Sequence, residues 1–188
     1  MQHNPDASNE LFGDLSHILF TREQIADRVA QLGRQISEDY AGQQLVLINI
    51  LKGGIVFLAD LMRSITIPHS FDVIGASSYR GGTSTTGKVI ITKDVELDLR
   101  GRNILLVEDI LDTGHTLSVV CELLKIQEPA SFEICCLLNK KRPRNFKTPI
   151  KYVGFDIPDE FVVGYGLDYR ERYRNIGCVG VLKPEVYQ

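Results

Sequence analysis

Leu45 to Ile50 reads LVLINI, a short run that is β-branched and almost wholly apolar. A strand open to water on one side alternates apolar and polar residues, whereas a run without that alternation must be covered on both faces. This reads as a central strand of a parallel sheet. Asn103 to Val107 (NILLV) and Phe132 to Leu138 (FEICCLL) have the same character, and Phe71 to Ala76, Val89 to Thr92 and Tyr152 to Phe155 add further strands. Helical patterns lie between them. Ile25, Val29, Leu32 and Ile36 recur at spacings of three and four, which makes one apolar helical face. Thr21 opens that helix with Gln24 completing a capping box, and it should end near Tyr40 to Gly42. A second helix is expected from Ile55 to Ser64, and a third from Leu117 to Ile126 with Val120, Leu123 and Leu124 on its apolar face. The alternation predicts an α/β fold, a Rossmann-like, mostly parallel sheet with flanking helices. Sites in such sheets lie at the carboxyl ends of the strands, here after Ile50, Val107 and Leu138.

The rhythm changes after Pro143. Pro149, Pro158, several aromatics and the absence of a long helix predict a small hood lobe built from both chain ends, with a short strand at Leu15 to Leu19. The expected division is a tail and part of the hood over 1–20, a core over 21–148, and a carboxyl-terminal segment with the rest of the hood over 149–188. A chain of 188 residues is long enough for one such core without a metal or disulfide staple. Its 21 basic and 24 acidic residues give a net charge of −3, so there is no field for gripping nucleic acid or an anionic membrane. The only dense basic run, KKRPR at Lys140 to Arg144, is short. Cys121, Cys135, Cys136 and Cys178 form no CxxC pair or Cys/His cluster and read as small core residues. The first 20 residues carry Asp6, Glu10 and Asp14 but no Lys or Arg, and no apolar run approaches 18 residues. A cytoplasmic placement is expected.

The loop after NILLV carries the strongest chemistry. Glu108 and Asp109 follow the buried run directly, and charges there need solvent, a cation or a donor-rich ligand. Asp112, Thr113, Gly114, His115 and Thr116 then turn into a helix. Gly114 permits close backbone approach, Thr113 and Thr116 offer hydroxyls, and the free amides of the helix start add donors, which together suit a phosphate. The plainer alternative is that Asp112 and the threonines merely cap the helix. Neither a GxxxxGK[ST] loop nor a GxGxxG fingerprint is present. At Leu51-Lys52-Gly53-Gly54 the glycines let amides approach an anion while Lys52 supplies charge. Ser77 to Gly87 has neither period nor propensity and reads as an excursion from the sheet.

The segment VEDILDTGHTLSV resembles the phosphoribosyl diphosphate signature of type I phosphoribosyltransferases. The resemblance implies that Glu108 and Asp109 face the ribose hydroxyls and a magnesium ion, and that the loop Asp112 to Thr116, with His115 inside it, holds the 5′-phosphate. Leu51-Lys52-Gly53-Gly54 resembles the diphosphate loop of the oxopurine enzymes, in which the peptide at Leu51-Lys52 is often cis. Ser78 and Tyr79 would lie on a lid over the reacting centre, with Gly81, Gly82 and Gly87 giving it freedom. LLNKKRPR resembles the oxopurine site, which makes Lys140 the donor to the base's O6; a lysine at a strand end is otherwise a solvated charge. Asp159 to Asn175 (DEFVVGYGLDYRERYRN) resembles the base-binding segment of hypoxanthine-guanine phosphoribosyltransferases. By that likeness Phe161 stacks on the purine, Val162 offers backbone groups to its edge, Asp168 approaches magnesium and Arg174 meets the diphosphate.

The implied reaction is transfer of the phosphoribosyl group from phosphoribosyl diphosphate to hypoxanthine or guanine, with Asp112 as general base at N7 and magnesium as cofactor. Alternatives are a xanthine-preferring enzyme, an adenine enzyme (which conflicts with Lys140), a pyrimidine enzyme (which conflicts with FVVGYGLDY), a nucleotide-sensing nucleic-acid regulator on the same fold, and a purely structural protein. The resemblance also implies a homodimer or homotetramer, with LKGGIVFLADLMRSI contributing an apolar helix to the interface.

Overall fold

The computed structural model describes residues 10–78 and 89–188. A 3-10 turn at Glu10–Asp14 leads into β1 (Leu15–Phe20), α1 (Arg22–Asp39), β2 (Leu45–Leu51), α2 (Ile55–Ser64) and β3 (His69–Ser78). Then come β4 (Val89–Lys93), β5 (Asn103–Leu111), α3 (His115–Lys125), β6 (Ser131–Lys140), β7 (Tyr152–Ile157), β8 (Val162–Val163), β9 (Val179–Leu182) and α4 (Pro184–Tyr187). The expected lid falls at the gap between the two described stretches. Ser78 ends β3, and Tyr79, Gly81, Gly82 and Gly87 lie outside the described residues.

Six strands form one sheet in the order β4-β3-β2-β5-β6-β7. All its pairings are parallel except β3 with β4. The apolar run of β2 explains itself in this position. Leu45 and Leu47 join Ile25, Val29, Leu32, Phe57 and Leu61 of α1 and α2 in one core layer. Val46 and Ile48 point the other way, onto Leu117, Val120 and Leu124 of α3. Each such side chain, wholly withdrawn from water, contributes roughly 1.5–3 kcal/mol, so a polar substitution on either face of β2 exposes a full layer to that loss.

α1 begins as its sequence dictates. The Gln24 amide donates to Thr21 Oγ1 at 3.3 Å, and the Thr21 amide donates to Gln24 Oε1 at 2.9 Å. A second sheet, β1-β9-β8, joins the two chain ends over a cluster of Leu15, Val163, Tyr173, Ile176, Cys178 and Leu182. All four cysteines are buried, and none is in a disulfide. Burial pushes the thiols of Cys121, Cys135 and Cys136 up, that of Cys121 to about 12, which suits core packing. Among the described residues, no helix is long and apolar enough to cross a membrane.

Two of the boundary differences from the sequence reading are at strand ends that carry charge. β5 does not stop at Val107. Its ladder to β6 continues through Glu108↔Cys136, Ile110↔Leu138 and Leu111↔Asn139, so Glu108 and Asp109 are strand residues and not loop residues. Likewise β6 continues through Lys140, which pairs with Ile157 of β7. Charge is the usual mark of a strand's end, but here the backbone partners of the neighbouring strand carry it further.

Candidate active site

The carboxyl ends of β2, β5 and β6 lie side by side, and the informative segments meet there. After β2 the chain turns sharply, with a cis peptide bond between Leu51 and Lys52, as the resemblance implied. Gly53 then passes directly over the Asp109 carboxylate; a Cβ on residue 53 would lie 1.9 Å from Asp109 Oδ2. Asn49, fully buried, braces the turn from beneath by donating to the Val107 carbonyl at 3.0 Å. The sequence pattern did not single out Asn49, although one amide in an apolar run is a signal.

Asp109 is 7% exposed. Burial raises its carboxyl to about 6, against the opposing pull of the Ile110 amide and the Arg174 charge. Glu108 is pushed well up as well, by burial and by the Asp109 charge. Its Oε2 is buried with no hydrogen-bond partner among the described residues. The two neighbours have different surroundings. Asp109 packs on Gly53 and feels Arg174 and Asp168, whereas the Glu108 charge reaches Cys121 of α3 and Cys136 of β6. Glu108 and Asp109 are thus adjacent in sequence without sharing all of one environment.

At the start of α3 the N-cap is Gly114, in the left-handed region at φ 77° and without a side-chain cap. A residue with a Cβ would be strained there and would also meet Phe146 at 2.6 Å. The His115 amide donates to Thr113 Oγ1 at 3.4 Å. Asp112 does not cap the helix in the way the plainer reading allowed; it turns to cations. Lys140 Nζ lies 3.2 Å from its Oδ2 and Arg142 Nη1 lies 2.8 Å from its Oδ1. Asp159 completes the cluster, 3.8 Å from Lys140 and 3.4 Å from Arg142. A cavity of about 340 Å³ opens beside it, lined by the Thr113 to His115 turn and by Arg142, Arg144 and Phe146.

The run KKRPR is thereby consumed inside the fold. Lys141 pairs with Asp156 at 3.3 Å, and Arg144 donates to the carbonyls of Leu111 at 3.1 Å and Lys140 at 3.0 Å. No cationic stripe for a nucleic acid is left in this run. Arg142 and Asp159 are site residues that the sequence alone did not assign, because their meaning lies in partners about thirty and seventeen positions away.

A second charged group forms where the 164–174 segment crosses the turn after β2. Gly166 approaches the Gly53 carbonyl so closely that a Cβ on it would lie 2.2 Å away. Arg174 donates to the Gly166 carbonyl at 2.8 Å and pairs with Asp168 at 2.8 Å and Glu171 at 3.3 Å. Lys52 reaches the same Glu171 at 3.2 Å. Lys52 and Arg174, both expected to meet an anion, therefore share a carboxylate of the chain. These two cations hold the Glu171 carboxyl below its usual value.

Phe161 lies at the rim. Its ring stacks on Tyr187 at 4.8 Å and 21°, and it meets Tyr169 edge-on at 5.6 Å. Val162 is buried in β8 against Val181. Tyr187 lies beyond the last motif, which ends at Asn175, and was not legible as a partner of Phe161.

The phosphoribosyl transferase domain model matches residues 18–170. A hypoxanthine-guanine phosphoribosyltransferase of Mycobacterium avium is 47% identical over 191 aligned residues, spanning 98% of this chain and 94% of that protein. A hypoxanthine phosphoribosyltransferase of Salmonella typhimurium is 49% identical over 165 residues, spanning 87% of this chain and 93% of its own length. The crystal structure of a hypoxanthine phosphoribosyltransferase from Staphylococcus aureus superposes with a TM-score of 0.92 at 46% identity, covering 97% of this chain and 99% of the other.

Proposed function

Because the chain belongs to the phosphoribosyltransferase family, in its hypoxanthine-guanine branch, we propose that the charged groups at the carboxyl ends of β2, β5 and β6 divide one group transfer among them. The enzyme moves the phosphoribosyl group from phosphoribosyl diphosphate to hypoxanthine or guanine in purine salvage. The N9 lone pair forms the new bond to C1 of the ribose, and the C1–O bond breaks with its electrons leaving on diphosphate. The proton carried by N7 passes to Asp112.

The contact between Asp112, just past the end of β5, and Lys140, the last residue of β6, 3.2 Å apart, is the observation that carries this reading. An oxopurine presents N7–H, a donor, beside O6, an acceptor. Asp112 and Lys140 present the complementary acceptor and donor at a matching separation. Adenine would turn its amino donors toward Lys140, and a mismatch of that kind can discriminate by roughly 10⁴ to 10⁵. Phe161 supplies a stacking surface and Val162 backbone groups for the base edge. The amides and hydroxyls of Asp112 to Thr116, opened by the left-handed Gly114, cradle the 5′-phosphate.

Lys52, Arg174 and the amides of Gly53 and Gly54 receive the diphosphate and offset its growing charge. Glu171 holds the first two of these until then and yields its place. Among the described residues, no group of three or more metal-ligating side chains is assembled. The donor chemistry nevertheless suits magnesium, a hard cation with oxygen ligands. Glu108 has a buried oxygen without a partner, and Asp109 is a carboxylate short of positive charge. Glu108, Asp109 and Asp168 would hold it, directly or through the ribose hydroxyls. Magnesium, when bound, neutralises charge on the leaving diphosphate. The hood is the sheet β1-β9-β8 with the segment between β8 and β9, while β7 belongs to the core sheet. A homodimer or homotetramer is the assembly we assign, through the face of α2 that leaves Ile55 exposed.

Steady-state assays with magnesium, phosphoribosyl diphosphate and five bases test the reading. Hypoxanthine or guanine should turn over, and adenine and uracil should not; preferential turnover of xanthine would reassign the substrate. Asp112→Asn should lose about 10² to 10⁴ in turnover while still binding phosphoribosyl diphosphate. Undiminished turnover would remove Asp112 from the base role.

A further inference from the structure

We propose that Arg142 is a positioning residue for this reaction: its guanidinium holds Asp112 by Oδ1 so that Oδ2 stays turned toward the purine. This rests on the assignment of Asp112 as general base.

Each oxygen of the Asp112 carboxylate has its own cation, Lys140 on Oδ2 at 3.2 Å and Arg142 on Oδ1 at 2.8 Å. The two cations come from one short turn, in which the Arg142 amide donates to the Lys140 carbonyl at 3.1 Å. They are not equivalent. Lys140 is the last residue of β6, with only 8% of its side chain exposed, while Arg142 is 35% exposed. When the base enters, Lys140 has to turn to O6, and that movement frees Oδ2 at the moment a proton must be received there. Arg142 is then the remaining tether of Asp112.

Without that tether, and with Lys140 turned to the base, no side-chain hydrogen bond among the described residues restrains the carboxyl group about its last torsion, which is broad and has no sharp rotamer wells. Asp112 is 43% exposed and could rotate toward water. Asp159 backs the arrangement, standing 3.4 Å from the same Arg142 nitrogen and 3.8 Å from Lys140. It keeps the guanidinium in place and balances its charge while Lys140 is away. Both ion pairs are partly solvated, so their yield in stability is small. What Arg142 contributes is orientation, the quantity to which proton transfer is most sensitive.

Arg142 also borders the cavity beside Thr113 and Gly114, so a direct contact with the 5′-phosphate is the rival role, and kinetics separate the two. Arg142→Ala should lower kcat about tenfold to a hundredfold with the KM for phosphoribosyl diphosphate unchanged, and Arg142→Lys should recover most of the loss. Arg142→Gln, which keeps the bulk, serves if the alanine variant does not fold. In an Asp112→Asn background the same Arg142 change should have little further effect, as expected for residues acting through one group. A loss confined to the KM for phosphoribosyl diphosphate, or an equal kcat loss in both backgrounds, overturns the proposal. Wild-type kcat in Arg142→Ala beside a slow Asp112→Asn sinks this inference alone; a fast Asp112→Asn sinks the base assignment and the inference with it.

Discussion

Gly53 lies so close over Asp109 that a Cβ on residue 53 would come within 1.9 Å of the Asp109 Oδ2. The turn after β2 and the buried carboxylate of β5 are fitted to each other without space for a side chain. Gly53→Ala should therefore cost about 1–3 kcal/mol through overpacking and raise the KM for phosphoribosyl diphosphate about tenfold, the equivalent of 1.4 kcal/mol. Thermal unfolding and initial rates measured on one preparation check both; a variant with native KM would show that the turn can shift freely.

Asp109 is ionised at neutral pH only against its burial, which raises the carboxyl from 3.8 to about 6. Asp109→Asn keeps the shape and removes that cost. In the absence of ligands it should stabilise the protein by about 1–3 kcal/mol, seen as a midpoint higher by a few degrees at pH 7.5. Turnover should be lost. Magnesium with phosphoribosyl diphosphate should then stabilise the wild type more than the variant. A lower midpoint for the ligand-free variant would show the carboxylate to be well compensated as it stands.

Asp72 has the opposite sign. Burial disfavours its charged form, but the amides of Glu96 at 2.6 Å, Val73 at 2.7 Å and Leu97 at 3.0 Å outweigh burial and hold it below 3.8. A depressed carboxyl contributes stability that is present above its unfolded value and fades as pH falls through the folded one. Asp72→Asn should lose about 1–3 kcal/mol at pH 7, and the gap to wild type should close in acid, as pH falls from the ordinary carboxyl value through the lowered folded one. Urea unfolding at the two pH values measures it; a gap that persists in acid would mean that shape, not charge, ties the Glu96 loop to β3.

Tyr187 stacks on Phe161 at 4.8 Å, so a purine stacking on Phe161, as we propose, would take the opposite side of that ring. Removing the backing ring should let Phe161 move. Tyr187→Ala is expected to raise the KM for hypoxanthine about two- to tenfold, as for the loss of one aromatic pair of 0.5–1.5 kcal/mol, with the KM for phosphoribosyl diphosphate unaltered. Equal KM values for the base would show that Phe161 is held by β8 and Tyr169 alone.

Much of the architecture was legible along the chain. The capping box at Thr21, the bounds Ile55–Ser64 of α2 and the doubly covered strand from Leu45 each depend on residues within one or two turns of each other. The turn at Gly114 was legible for the same reason, since Gly114 and the helix after it are neighbours. The boundaries that were misread, at Glu108–Asp109 and at Lys140, failed where charge suggested solvent and a ladder to the adjacent strand kept the backbone extended.

Sequence by itself determined the apolar periods, the turns and the residue types able to take part in the chemistry, because these are set by contacts close along the chain. Tertiary structure alone decided which charges face each other: Asp112 between Lys140 and Arg142, Glu171 between Lys52 and Arg174, Asp109 beneath Gly53. Such pairings span up to more than a hundred residues and follow from strand order and the path of the hood segment. A charge written in a sequence carries no mark of its partner, and only the packed sheet edge brings the two within reach.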